Sequence, residues 1–313
     1  MHNKAEIENE LNEIDLSYLF SILWGRKLLI ILLTSFFAAF SVFYALSIPN
    51  YYQSKALLNV IQDESSGMDS IASRYGGLAS LADIDIPQVT SKDKASLVME
   101  TIKSREFMKH LITIDGVLEG IIATKNFDSQ TQEIIYDDKI FNSIKNEWVR
   151  EPVYPYKKVP SYLEAHQIFV NNMLTLTQDR KSGFISLTVE HISPFFASHL
   201  LESVIKEVNF LIKEFDMNES ANAISYLNNQ AEFNLNNNLK DVVSKLYEIQ
   251  LRKQMLSNIR DEYIIIPIDS PFVPEKKAGP TRSIICILIT FTGGLLSIIY
   301  VLLAHFLYIP NRK

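Results

Sequence analysis

Two stretches without formal charge decide the architecture: LLIILLTSFFAAFSVFYALSI at residues 28–48 and SIICILITFTGGLLSIIYVLLAHFLYI at residues 283–309. The first has 21 residues and the second has 27, and neither contains Asp, Glu, Lys or Arg. About 20 apolar helical residues cross the hydrocarbon layer of a bilayer, which is ~30 Å thick. Both stretches are therefore predicted to be transmembrane helices. The first is too long for a signal peptide and follows a net acidic segment, so we expect an uncleaved anchor.

The charges beside the two stretches indicate their orientation. Arg26 and Lys27 precede the first stretch, and Arg312 and Lys313 follow the second. Basic residues are enriched in short cytoplasmic segments, so this distribution favours two termini in the cytoplasm. Other basic residues lie just before the second stretch, but they belong to a long connection, to which the charge rule does not extend. A large extracytoplasmic domain held at both ends by one bilayer is the resulting prediction.

Composition excludes several classes of protein. Of the 313 residues, 47% are hydrophobic and 21% are charged, which argues against a disordered chain or a pure coiled coil. The net charge of −6 argues against binding of nucleic acid. Cys286 is the single cysteine, so no intramolecular disulfide or cysteine-based zinc site is expected. The sequence contains no phosphate-binding loop of the ATPase type, so no cofactor is predicted.

The middle of the chain alternates between strand and helix patterns. We predict strands at 56–61, 174–177, 184–189 and 263–268, with a hairpin turn at Asp179–Gly183. One helix is predicted from residue 90 or 91 to Ile112, short helical pieces at Glu133–Trp148, and another helix at 161–172. The fold class is therefore an α/β domain between two transmembrane helices.

A very long helix is predicted at about 194–260. Ser193 is a favourable N-cap, Pro194 suits the first helical position, and residues 195–266 contain neither Gly nor Pro. At 1.5 Å per residue such a helix would be roughly 100 Å long. A break near Asp216–Ser220, giving two stacked helices, is the alternative, because residues 218–238 are rich in asparagine. After the helix, Pro271, Pro274 and Pro280 predict a stiff extended connector at 267–282.

Four stretches carry a resemblance to a known family. IDLSYLFSILWGRK at residues 14–27 runs directly into the first apolar stretch, and PFVPEKKAGPTR at residues 271–282 runs into the second. Between them lie GGLASLA at residues 76–82 and the strand that leads into Ser193-Pro194. In this order and spacing, the sequence resembles the chain-length determinant family, the polysaccharide co-polymerases of Gram-negative envelopes, in the type without a fused kinase.

The resemblance implies a function and a set of partners. It implies a non-enzymatic inner-membrane protein that sets the length of a surface polysaccharide, classically O antigen, within lipopolysaccharide biosynthesis. It also implies a ring-like homo-oligomer that works beside a separate membrane polymerase, with the lipid bilayer and the growing polysaccharide as further partners and no nucleic acid. The predicted segments are a cytoplasmic tail (1–27), transmembrane helix 1 (28–48), a periplasmic α/β domain (49–282), transmembrane helix 2 (283–309) and a second cytoplasmic tail (310–313).

The sequence predicts no catalytic, cofactor-binding or metal-binding residue. The six histidines show no metal-ligand spacing, and His191 and His199 are interpreted as surface or cap residues beside the Ser193-Pro194 cap. Asp83-Ile84-Asp85 matches the Asp-x-Asp of metal-dependent glycosyltransferases but lacks a nucleotide-binding context. Two alternatives remain. One is an export or assembly adaptor working with a separate cytoplasmic kinase or an outer-membrane channel, and the other is a membrane-anchored glycan enzyme.

Small residues in the second apolar stretch are the candidate contact site. Packing against the first stretch, where Ser35 and Ala39 offer a similar face, is one interpretation, and contact with a polymerase is the other. The small side chains fall at helical spacing: Cys286, Thr290 and Gly294 on one line, and Gly293 with Ser297 on the next.

Overall fold

The computed structural model describes residues 16–61, 91–231 and 262–308, together with eight helical residues between 244 and 255. The chain divides into two units. The first contains Met1–Asn50 and Ala278–Lys313, and the second contains Tyr51–Lys277. The loop with the GGLASLA sequence and the Asp83–Asp85 pair lie outside the described residues.

The elements are as follows in chain order. The helices are α1 (Leu16–Gly25), α2 (Lys27–Ser47), α3 (Ser91–Ile102), α4 (Arg105–Leu111), α5 (Val117–Ile122), α6 (Tyr162–Ile168), α7 (Pro194–Ala231) and α8 (Arg282–Tyr308). A π-helix, Phe169–Met173, continues α6. The strands are β1 (Tyr52–Val60), β2 (Thr124–Asp128), β3 (Glu133–Tyr136), β4 (Phe141–Asn142), β5 (Glu147–Trp148), β6 (Leu174–Gln178), β7 (Ile185–His191) and β8 (Ile265–Asp269).

The first unit consists of the apolar helices. Both α2 and α8 are long and apolar enough to cross a membrane, by length and composition. Only 11% and 17% of their most apolar windows are buried within the protein. The core helix of a soluble protein would bury most of such a surface, whereas lipid covers it in a membrane. Exposed apolar side chains on both helices therefore favour a membrane environment.

The second unit is built on a four-stranded antiparallel sheet with the order β6-β7-β1-β8. The hairpin of β6 and β7 turns at Asp179–Gly183 as predicted, and Leu176 pairs with Leu187 across it. Leu187 also pairs with Ala56 of β1, so it lies at the centre of the sheet and is fully buried. Strand β8 lies at the edge and contains Pro267, which lacks the N–H that a central strand would use.

Helix α7 packs on this sheet through the first half of its length. The Ser193 Oγ accepts a hydrogen bond from the Phe196 N–H (3.3 Å), which confirms the predicted cap. Leu200, Val204 and Val208 are fully buried against the sheet. Farther along the helix Phe215 is 68% exposed, so the buried stripe ends before it.

The long-helix prediction is confirmed over Pro194–Ala231, which is 38 residues. The alternative break at Asp216–Ser220 is wrong, because α7 continues through these residues without interruption. Residues 232–243 lie outside the described part of the chain, and the eight described residues between 244 and 255 are helical. The predicted fold class, α/β with one very long helix and two long apolar helices, is confirmed.

Two local predictions are wrong. The helix predicted over 90–112 is two helices: α3 ends at Ile102, and Ser104 caps α4 by accepting a hydrogen bond from the Phe107 N–H (3.1 Å). The predicted helical pieces at Glu133–Trp148 are three short strands instead. Gln132 and Asn146, both with positive φ (59° and 54°), provide the turns that a helix could not contain.

Candidate functional site: the packed face of the apolar helices

Gly293 lies where α8 approaches α2 closely. The two helices are antiparallel, and a Cβ atom added at Gly293 would lie 2.5 Å from the Cβ and Cγ atoms of Phe37. A Cβ at Gly294 would lie 3.2 Å from the Thr34 Cγ2 atom, a tighter contact than usual but a tolerable one. Only glycine fits at position 293 without displacing the aromatic side chain, as expected where helices approach closely in lipid.

Ser297, Cys286 and Ser41 have hydrogen-bond partners within the helix pair. Ser297 is fully buried, and its hydroxyl donates to the Gly293 carbonyl (2.6 Å). The Cys286 thiol approaches the Ser41 carbonyl (3.8 Å), and the Ser41 hydroxyl donates to the Ala38 carbonyl (2.7 Å). Hydrocarbon offers no partner for a polar group, so such internal bonds are required of a buried membrane face. Thr290, the fourth predicted residue, is half-buried.

The structure corrects the partner residues that were expected on α2. Ser35 and Ala39 are exposed. The contact is made through Thr34 and Phe37 instead, and it continues to the buried Ser41. A signal was present in the sequence: Thr34, Ala38, Ser41 and Ala45 are small residues at steps of 4, 3 and 4, the spacing of a packed helical seam.

Arg282 closes the end of the helix pair at the start of α8. Its Nη2 group donates to the Ile48 carbonyl (3.3 Å), which follows the last turn of α2, and to the Asn50 Oδ1 atom (3.1 Å). A positive charge here complements the partial negative charge at the C-terminal end of α2. One guanidinium therefore fixes both the axial register and the end of the pair.

The predicted connector leads from β8 toward α8 without helix. In the second unit Pro274 is buried and Pro271 is half-buried, and the Ser54 hydroxyl of β1 donates to the Phe272 carbonyl (2.7 Å) between them. The first half of this segment is therefore held against the sheet. Pro280, in the first unit, is half-buried. A role for the three prolines in setting the height of the domain stays a prediction.

His191 is a cap residue, but it is buried rather than at the surface. Its Nδ1 atom accepts from the Ser193 N–H (3.0 Å), so the ring proton resides on Nε2, which donates to the Gly120 carbonyl (3.1 Å). The imidazole packs against the Phe196 ring with a centroid distance of 4.4 Å. Burial lowers the pKa of His191 from 6.5 to about 4, so the imidazole is neutral near pH 7.

A metal site is not found in the part of the chain that the structure describes, where no three His, Cys, Asp or Glu side chains are grouped to hold an ion. His166, for example, hydrogen-bonds to the Lys103 carbonyl (2.7 Å), and His110 lies near Glu106 and Glu207 at 3.8–4.0 Å. The His110–Glu207 contact joins α4 to α7 within the second unit.

Part of the chain matches the model of a known protein family. Residues 12–114 match the family model described as "Wzz: Chain length determinant protein". No curated protein matches the chain. A solved "full-length bacterial polysaccharide co-polymerase" is 14% identical with a TM-score of 0.39, and the match covers 96% of this chain and all of that one. A fragment of WzzB, a polysaccharide co-polymerase from Salmonella Typhimurium, is 13% identical with a TM-score of 0.27, over 74% of this chain and all of that one.

Both TM-scores are below 0.5, so the assignment depends on the sequence match. That match begins before α2 and ends just after α4, and it therefore includes the first apolar helix, strand β1 and the start of the second unit. The predicted resemblance is confirmed over residues 12–114, which match the model of the chain-length determinant family.

Proposed function

We propose that this protein is a non-enzymatic regulator of the chain length of O antigen. The matched domain indicates polysaccharide chain-length determination, and this match is the single observation that carries the proposal. In the proposed mechanism the protein is a scaffold whose oligomeric geometry determines how long a separate membrane polymerase extends the polymer. The protein itself makes and breaks no bond.

The proposed location is the bacterial inner membrane, with α2 and α8 spanning the bilayer. The antiparallel pairing of α2 and α8 supports this, because it places the start of α2 and the end of α8 at the same end of the pair. The basic residues Arg26 and Lys27 lie at that end, so we assign it to the cytoplasm. The second unit is then periplasmic.

The proposed partners are further copies of the chain and the polymerase. The second unit exposes large apolar side chains that a monomer would leave in water, which supports an oligomer. Phe210 and Phe215 on α7 are 55% and 68% exposed. We place contacts between copies on these surfaces, and the polymerase contact in the membrane.

The proposal is tested by deleting the gene and separating the lipopolysaccharide on a gel. We expect the deletion strain to keep making polymer but to lose its preferred length cluster, and a plasmid copy of the wild-type gene to restore the cluster. An unchanged ladder would overturn the proposal. Loss of all long polymer would replace it with the export or assembly adaptor.

Orientation is tested separately with single cysteines. In a Cys286→Ser background, Ile144→Cys should react with a membrane-impermeant maleimide once the outer membrane is permeabilised, because Ile144 is 95% exposed in the second unit. Arg26→Cys should react only after the inner membrane is disrupted. The reverse pattern would refute a periplasmic second unit.

A further inference from the structure

A groove on the second unit is lined by an aromatic ring, amide side chains and one carboxylate. It has a volume of about 300 Å³ and is open to solvent. This volume is at the lower end of the roughly 300–1,000 Å³ of small-molecule sites, so the groove fits a short segment of a ligand. The lining residues are Tyr156, Glu164, Gln167, Ile168, Asn171 and Asn172.

One wall of the groove is a loop held in place by a partly buried ion pair. Arg150 makes two hydrogen bonds to the Glu164 carboxylate of α6, one of them 2.8 Å long. The same guanidinium donates to the carbonyls of Lys157 (2.6 Å) and Lys158 (3.0 Å). Arg150 thus ties the loop that carries Tyr156 to α6.

The other wall is a π-helical turn that displays amides. Asn171 and Asn172 lie on the π-helix that continues α6, and Gln167 lies one turn earlier. All three side chains are exposed, and among the described residues they make no hydrogen bond within the protein. Single π-helical turns occur frequently at functional sites. Here the turn places neighbouring amides on the same groove, and each amide offers donors and an acceptor.

The charge of the groove indicates a neutral ligand. Among the described residues that line it, Glu164 carries the only carboxylate, and Arg150 neutralises it in a pair whose side chains are only 16% and 14% exposed. The groove therefore presents neutral donors and acceptors beside the amphipathic ring of Tyr156, which is 56% exposed. A polyhydroxylated ring matches this surface, since its hydroxyls pair with amides and its C–H face packs on an aromatic ring. An anion would find no unpaired positive charge among these side chains.

We propose that this groove binds a short neutral segment of a glycan. The polyol chemistry follows from the groove itself, and the identification of the glycan as the surface polysaccharide rests on the proposed function. Contact with the growing polymer at this place would let the periplasmic unit hold the chain while the polymerase extends it.

Binding is measured with the purified full-length protein in lipid nanodiscs. The probe is polysaccharide released by mild acid from the lipopolysaccharide of the producing strain and labelled with a fluorophore at its reducing end. Fluorescence anisotropy gives the Kd. The Asn171→Ala/Asn172→Ala double variant should raise the Kd about tenfold or more, since two hydrogen bonds are lost. Tyr156→Ala should weaken binding as well, and Tyr156→Phe should keep it because the ring remains.

Tyr154→Ala is the matched control, because Tyr154 lies on the same loop, is 93% exposed and does not line the groove. Equal Kd values for the double variant and this control would overturn the inference, as would a wild-type protein that binds no polysaccharide. Preference for peptidoglycan fragments over the polysaccharide would also overturn it. Circular dichroism checks the fold of each variant.

The gene deletion and the binding experiment together distinguish failure of the proposed function from failure of the groove inference. If deletion of the gene leaves the polysaccharide length distribution unchanged, the proposed function fails, whatever the groove binds. If deletion removes the preferred length but the amide variants bind as the wild type does, only the groove inference fails.

Discussion

Asn209 is expected to be the polar side chain on which the second unit depends most. It lies on α7, is 4% exposed, and joins this helix to the chain entering β8. Its Oδ1 atom accepts from the N–H groups of Tyr263 (3.1 Å), Ile264 (2.9 Å) and Ile265 (3.1 Å). Its Nδ2 group donates to the carbonyls of Ile205 and Ile265 (both 3.1 Å). The Asn209→Ala variant removes all five contacts.

The loss of free energy of unfolding can be estimated from the backbone N–H groups that lose their hydrogen-bond partner. Ile264 and Ile265 are 6% and 0% exposed, so their N–H groups lose a partner that water cannot replace. Each buried unsatisfied group costs about 1–3 kcal/mol, which gives about 2–6 kcal/mol for the two. Alanine returns roughly 0.5 kcal/mol through its higher helix propensity. The expected net loss is about 3 kcal/mol, or roughly 6–12 °C in Tm for a unit of this size.

The assay is thermal unfolding of the purified full-length protein in detergent, followed by circular dichroism. Asn218→Ala is the matched control, because Asn218 is exposed on the same helix and is bonded to no described residue. The control should melt at or slightly above the wild-type temperature. If Asn209→Ala melts within about 2 °C of the control, the three-N–H acceptor does not stabilise the unit and the reasoning is refuted.

Three further predictions concern close contacts and protonation. Gly293→Leu should reduce the amount of protein in the membrane, measured by immunoblot, because its side chain collides with Phe37, which even a Cβ would approach to 2.5 Å. Gly120→Ala should lower the Tm, since its Cβ would lie 2.1 Å from the Phe196 ring. Below pH 6.5 stability should fall, because the unfolded chain protonates His191 while the folded pKa is about 4. The contribution of His191 to the free energy of unfolding is complete above pH 6.5 and about 3 kcal/mol smaller at pH 4. The melting temperature of His191→Gln should lack this pH dependence.

Glycines in open space are the controls for the first two of these predictions. A Cβ at Gly25 or Gly279 would meet nothing within 4 Å, so alanine at either position should leave the protein amount and the Tm unchanged. Equal effects at the open and the crowded glycines would contradict the steric explanation. A wild-type protein whose melting temperature does not change between pH 6.5 and pH 4 would contradict the buried neutral His191.

Local signals in the sequence were sufficient for much of the fold. The start of α7 was predictable because the cap is made by Ser193 and Pro194 themselves, within one turn of the helix. The hairpin of β6 and β7 was predictable because alternation and a turn are also local. Strand β3 was not, because its pairing with β2 provides the stability that its own four residues lack.

The candidate sites depend even more on contacts between distant parts of the chain, which local sequence signals do not show. The sequence identified Gly293 as a place for close approach, but composition alone could not say which face of α2 it meets. Asn209 and Arg150 were missed because their partners lie far from their own periodic patterns: Asn209 bonds residues 54–56 positions away, and Arg150 bonds Glu164 across a loop. For Asn209 the sequence offered one signal, an asparagine within an apolar helical stripe.

The pairing of α2 with α8 also bears on where a polymerase could bind. Phe37 of the same chain occupies the face of Gly293, so a polymerase could use that face only if the two helices separated. The outward surface instead presents exposed apolar side chains, such as Phe40 (52%), Ile287 (67%) and Phe291 (64%). Lipid is as apolar as these residues, so a partner must compete with lipid through complementary shape rather than hydrophobicity. Substitution of Gly293 therefore tests the stability of the helix pair, and only substitution of outward aromatic side chains tests the proposed polymerase contact.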